Sequence, residues 1–131
     1  MYLLDSDILI FLLRGHDRVA GNIDSHLADP KAISVISYGE LLYGAGKSAR
    51  PVENSARVRH IAAIMPVIDV TPAIMETFSD IRIRLDQTGR RVDDFDLVIA
   101  ATALVMNYTL VTNNTRHFGH VPNLKLENWT K

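Results

Sequence analysis

The feature that most constrains this chain is a series of short apolar runs, each separated from the next by helix-period sequence. The runs are Tyr2–Leu4, Ala32–Ile36, Val67–Val70, Leu110–Thr112 and Leu124–Leu126. Stretches this short and apolar, bounded by turn residues, read as buried strands. After Tyr2–Leu4 and the triplet Asp5-Ser6-Asp7, a helix-like apolar stretch continues to about Leu13 and stops at Gly15. Val19, Ile23 and Leu27 recur at helical spacing before Pro30 closes that segment. Ser37 reads as the opening of the next helix, and Ser48–Pro51 breaks the chain before another from about Glu53 to Met65. Thr71-Pro72 supplies a capping hydroxyl and a first-turn proline. The helix that follows carries Ile74, Phe78, Ile81 and Leu85 on one face and ends at Gly89. A further helix runs from near Asp93 to about Asn107, and Asn113-Asn114 is a turn. Strands alternating with helices, without tight hairpin signals, predict an α/β fold with a mainly parallel central sheet flanked by helices.

At 131 residues, one domain spanning 1–131 is expected, large enough to bury a core without staples. Composition agrees: 47% apolar and 22% charged is globular rather than disordered. The absence of cysteine excludes disulfides and thiolate metal sites and is in keeping with a reducing compartment. Tyr2–Leu13 is strongly apolar, but Asp5 and Asp7 interrupt it and no basic stretch precedes it. It therefore fits neither a signal peptide nor a span of about 20 residues. A soluble, cytoplasmic protein with no membrane partner is the expectation.

Net charge is −1, so a general nucleic-acid coat is not indicated. Its distribution is uneven. From Lys47 to Arg91 there are eight basic residues against five acids, about +3, which leaves about −4 for the rest. Such a basic middle could guide a polyanion toward a cationic centre, and Arg90 and Arg91 are its candidate substrate contacts. A set of solvated helix faces explains the same charges.

In an open parallel sheet, ligands bind outside the carboxyl ends of the strands. The distinctive acids fall there. Asp5 directly follows the first strand, Glu40 lies in the first turn after the second, and Asp94 and Asp96 open the helix leading to Leu110–Thr112. Asn114 follows that strand. Each has an ordinary structural explanation: Asp5 or Asp7 as a cap, Ser37-Tyr38-Gly39-Glu40 as a capping box, Asp93, Asp94 and Asp96 as first-turn acids. Together they repel. Two charges about 5 Å apart at an effective dielectric near 20 cost about 3 kcal/mol, which a divalent cation removes. Oxygen-only ligands favour Mg²⁺ or Mn²⁺ over zinc. Such a centre activates water for phosphoryl hydrolysis without a nucleophilic side chain. The five histidines show no ligand spacing tied to these acids.

Four blocks in order carry a resemblance: YLLDSDILIFLLR, ISVISYGELLYGA, GRRVDDFDLVIAA and LVTNNTRHF, with VPNLKLENW closing the chain. The chain resembles the PIN-domain ribonucleases, specifically the toxin subunits of VapBC toxin–antitoxin pairs. The resemblance implies an Mg²⁺- or Mn²⁺-dependent endoribonuclease, an RNA substrate, a VapB-type antitoxin and a homodimer. It places Asp5, Glu40 and Asp96 as the metal-site acids, with Asp94 accessory. Asn114 falls where many of these domains carry a fourth acid. The usual Asp-Thr-Asn opening is Asp5-Ser6-Asp7 here, so a carboxylate replaces an amide.

Other readings fit less well. An Asp-x-Asp phosphatase would need Thr or Val where Leu9 stands and a site lysine, and the only lysines are Lys31, Lys47, Lys125 and Lys131. A phosphorylation receiver would carry a lysine where this chain has Asn113-Asn114. A non-catalytic PIN scaffold binding RNA or protein would have no need of three core acids.

Overall fold

Strand and helix alternate along the chain as β1 (Tyr2–Leu4), α1 (Ser6–Leu13), α2 (Asp17–Ser25), β2 (Lys31–Ser34), α3 (Val35–Gly46), α4 (Pro51–Ile64), β3 (Val67–Ile68), α5 (Pro72–Gln87), α6 (Asp94–Met106), β4 (Thr109–Val111), α7 (Thr115–Phe118) and β5 (Leu126–Glu127). The structure is a computed structural model that describes all residues from Met1 to Lys131. The strands form one sheet in the order β3-β2-β1-β4-β5. Every neighbouring pair is parallel, so the expected mainly parallel sheet is wholly so.

Both faces of the sheet are covered, which is why its strands read as continuous apolar runs rather than as alternations. Successive residues point to opposite faces, and the packing follows that period. Leu3, Ala32 and Leu110 join one core with Ile74, Ile81 and Leu85 of α5, Leu97 and Ile99 of α6, and Phe118 of α7. Leu4, Ile33 and Val111 join a second core with Ile8 and Leu9 of α1, Val19 of α2, Leu41 of α3, Val58 and Ile61 of α4, and Trp129. No helix is long and apolar enough to cross a membrane.

Several boundaries differ from the sequence expectation. Val35 and Ile36, β-branched and apolar, read as strand but belong to α3. The reason is Ser34, whose Oγ accepts the Ile36 N–H at 3.1 Å and caps the helix three residues earlier than Ser37 would. Ser37 is instead buried within α3, its hydroxyl without a partner. The Ser37–Glu40 capping box therefore does not form. Helix α4 begins at Pro51, a favourable first-turn residue, rather than at Glu53. The last strand is Leu126–Glu127, and the Asn113-Asn114 turn leads into the unexpected short helix α7.

Candidate active site

The strand order reverses beside β1: the chain builds outward to β2 and β3, then returns to β4 on the other side. The carboxyl ends of β1 and β4 therefore meet at the topological switch point, where open α/β sheets bind ligands. The Asp5 N–H donates to the Val111 carbonyl at 2.9 Å, fixing the two strand ends together.

Asp5 is the most enclosed of the acids, 6% exposed. Its Oδ1 accepts the Ser6 N–H at 2.8 Å, and its Oδ2 accepts the Thr112 hydroxyl at 2.8 Å. The capping explanation for Asp5 is thus correct for one oxygen and silent about the other. Glu40, released from capping duty, accepts the Ser6 hydroxyl at 3.3 Å. Asp96 lies in the first turn of α6. Burial pushes the Glu40 carboxyl up, and the Asp96 charge pushes it further. Burial first, then the neighbouring Asp93 charge, pushes Asp96 up as well, while His117 pulls it down. Asp5 is pushed up to about 7, by burial and then by the Asp7 charge, with a smaller contribution from Asp96. Burial is the largest cause of each elevation, and neighbouring carboxylate charges add to it.

Asp7 belongs to the same group. Its Oδ2 accepts the Asn113 N–H at 3.0 Å, its Oδ1 is buried with no partner, and its charge bears on Asp5, Glu40 and Asp96. Sequence reasoning noticed Asp7 as a departure from the family pattern but did not place it among the site residues. The signal was its helical position, two residues after Asp5 at the start of α1. Thr112, the last residue of the Leu110–Thr112 run, was missed as a site residue because it read only as strand. Its hydroxyl touches Asp5 and lies 3.4 Å from Asp7, and it accepts the Asn114 N–H at 3.0 Å.

Asp94 stands outside this group. Its side chain is 72% exposed and bound to Arg82 at 2.7 Å. An accessory role beside Asp96 is therefore not supported by its placement, because position 94 sits on a different side of α6 from position 96. Asn114 lies at the head of α7, beside the group through its backbone, and its side chain does not cap the helix. Arg90 and Arg91 line a neighbouring cleft with His117.

The donors suit a hard cation. All are oxygens, one buried oxygen of Asp7 is unsatisfied, and four carboxyls are held above their usual range. No three of these side chains converge closely enough to enclose an ion by themselves. A hydrated cation that keeps several of its waters could be reached by these carboxylates partly through that water shell.

A model of the PIN domain matches residues 2–124. The chain belongs to the PIN-domain family. Among full-length relatives, a ribonuclease VapC2 of Rickettsia felis is 34% identical, with 100% of this chain and 99% of that protein covered. A tRNA(fMet)-specific endonuclease VapC of Shigella flexneri is 33% identical, with 98% of each chain covered. Among solved structures, VapBC2 from Rickettsia felis bound to a promoter DNA fragment contains a chain that superposes with TM-score 0.91 at 33% identity, covering 98% of both. DNA-bound VapBC from Salmonella typhimurium gives 0.90 at 29% identity, covering 98% and 97%. Within this PIN domain the acids meet where the strand order reverses.

Proposed function

We propose that this PIN domain is a divalent-metal-dependent endoribonuclease and the toxin of a toxin–antitoxin pair. The observation that carries the reading is the meeting of Asp5, Glu40 and Asp96, from three separate elements, at the switch point of the sheet. Full-length similarity to VapC ribonucleases supplies the substrate class. Asp5, Asp96 and Glu40 would hold Mg²⁺ or Mn²⁺. When bound, the cation would make a coordinated water easier to deprotonate as it attacks and would neutralise charge on the phosphoryl oxygens.

The chain's own groups set the stage for that chemistry. Ser6 and Thr112 orient Glu40 and Asp5 through their hydroxyls. Asp7 holds the loop after β4 by its Asn113 N–H. A proton on Asp5 competes with the cation for the same oxygens. Total RNA incubated with the purified protein should yield new, discrete 5′ ends with Mg²⁺ and none with chelator. Identical end maps under both conditions would refute metal-dependent cleavage.

Control by a separate antitoxin is part of the same proposal. A groove of about 200 Å³ is lined by Ile10 and Leu13 of α1, Leu41 and Ala45 of α3 and Val58 of α4, together with polar residues that include Glu40, Arg14 and Arg57. An amphipathic segment that folds on binding could lie in this groove. A basic residue following it would then reach the carboxylates, arginine being favoured by its bidentate geometry. Expression of the chain alone should arrest growth, and co-expression of a small neighbouring gene product should restore it. Harmless expression of an RNA-cleaving protein with no neighbouring binder would refute the toxin assignment alone. The reading also includes a homodimer, as the family resemblance implies.

A further inference from the structure

Strand β5 runs parallel to β4 with Glu127 opposite Val111, so residues 128–130 emerge beside the loop that follows β4. Trp129 anchors them. It is 3% exposed and belongs to the second core. Its ring stacks on His26 with centroids 4.5 Å apart and meets Tyr2 edge-on at 5.0 Å. The indole N–H donates to Glu127 Oε1 at 3.0 Å, and the Trp129 carbonyl accepts the Asn22 side-chain amide at 2.9 Å. So large a side chain, buried against other rings, fixes the places of the residues on either side of it.

Those residues, Asn128 and Thr130, bond to the loop. Asn113 Oδ1 accepts the Asn128 side-chain amide at 3.2 Å and lies 3.1 Å from the Thr130 hydroxyl. The Asn128 oxygen accepts the Thr130 N–H at 2.9 Å, which leaves its amino group for Asn113. One residue earlier, the Thr112 N–H donates to the Glu127 carbonyl at 3.0 Å. Thr112 and Asn113 are therefore each held from two sides. Segment 127–130 binds them on one, and on the other the Thr112 hydroxyl donates to Asp5 Oδ2 at 2.8 Å and the Asn113 N–H to Asp7 Oδ2 at 3.0 Å. With Oδ2 so occupied, Asp7 Oδ1 is left buried and without a partner.

We propose that segment 127–130 is a brace for the carboxylates, in which Asn128 and Thr130 act as positioning residues that tune how tightly the site takes a divalent cation. Neither bonds to a carboxylate; both act through Asn113 and so through Asp7. A loop peptide left free samples many orientations, and bonds to its side chain narrow them. Here they hold the Asn113 N–H on one oxygen of Asp7, which settles where the other oxygen stands. Removing groups that orient a metal's ligands changes affinity or activity by about 10- to 100-fold. Asn128 and Thr130 stand one bond further out, so their effect is smaller. The inference rests on the metal-dependent reading.

The test uses the full chain with Mn²⁺ as the probe, free Mn²⁺ being read by electron paramagnetic resonance. Asn128→Ala combined with Thr130→Val removes both donors to the Asn113 side chain. The double variant should bind Mn²⁺ roughly three to ten times more weakly than wild type. Its metal-free Tm should stay within about three degrees, because the lost bonds are exposed. Hydrogen exchange followed by NMR should show the Asn113 amide exchanging about tenfold faster, with the core strands unchanged. Thr130→Ser, which keeps the hydroxyl, should match wild type in both measurements. RNA cleavage by the double variant should fall at limiting Mg²⁺ and recover at saturating Mg²⁺, as a change in cation affinity alone requires. Unchanged exchange at Asn113 would overturn the brace, and so would unchanged Mn²⁺ affinity once that amide is freed. Failure of the metal-dependent reading looks different: the wild type itself takes up no Mn²⁺, whatever the Asn113 amide does.

Discussion

Asp96→Asn and Asp5→Asn should each lower RNA cleavage by about a thousandfold or more without unfolding the protein. The size follows from the role: losing roughly 4 kcal/mol of metal-derived stabilisation in the transition state is a factor of about 10³ in rate. The amides are isosteric, so no cavity opens. At Asp5 the hydrogen bonds can also be rearranged. Asn keeps one oxygen for the Ser6 N–H, and its amino group can donate to the Thr112 oxygen, freeing that hydroxyl to turn toward Asp7, 3.4 Å away. Single-turnover cleavage with matched Mg²⁺, beside circular dichroism melts, makes the measurement. Near wild-type cleavage by either variant would remove that residue from the centre. Glu40→Gln is a cleaner test than the sequence alone suggested, because the capping box that would have confounded it is absent.

The second large effect is on stability and its pH dependence. Asp5 has its folded pKa raised from 3.8 to about 7. Between those values the unfolded chain has released this proton and the folded chain still holds it. The group's contribution to stability is therefore greatest below about pH 4, falls as pH rises toward 7, and is flat above. The full span corresponds to at most about 4 kcal/mol. Asp7, Glu40 and Asp96 are shifted in the same direction and add to the trend. Metal-free wild type should thus melt lower at pH 8 than at pH 5 by this contribution, and Asp5→Asn should lose much of the difference. A cation reverses the penalty: a ligand at a hundred times its Kd adds about 2.7 kcal/mol to the folded state. Millimolar Mg²⁺ or Mn²⁺ should raise the wild-type Tm by several degrees at pH 8, less at pH 5, and little in Asp5→Asn. Equal shifts in both proteins would place the metal elsewhere.

The fold was legible because its strands are buried on both faces and so announce themselves as apolar runs between helical periods. The acids were legible for a related reason: parallel topology makes the residue after each strand a candidate. What escaped was decided by local competition. At Ser34 and Ser37 two serines could each cap, and sequence periodicity favoured the later one because Val35 and Ile36 have strand character. Asp94 read as an accessory to Asp96, but Arg82, twelve residues before Asp94, pairs with Asp94 and not with Asp96. Thr112 could not be seen as part of the site, since its role lies in which way one hydroxyl points. His117 carries no ligand spacing, and only the folding of α7 against the cleft brings it near Asp96.

Leu3 and Leu4 are neighbours in sequence that serve opposite cores. A slip of β1 by a single residue would send each leucine to the wrong side of the sheet, and both cores would lose a large buried side chain at once. The strand is only three residues long, yet it is held in register from above and below. Asp5 comes next in the chain. Its location is thus indexed by the packing of two leucines, and its own bonds to Ser6 and Thr112 need only aim the carboxylate.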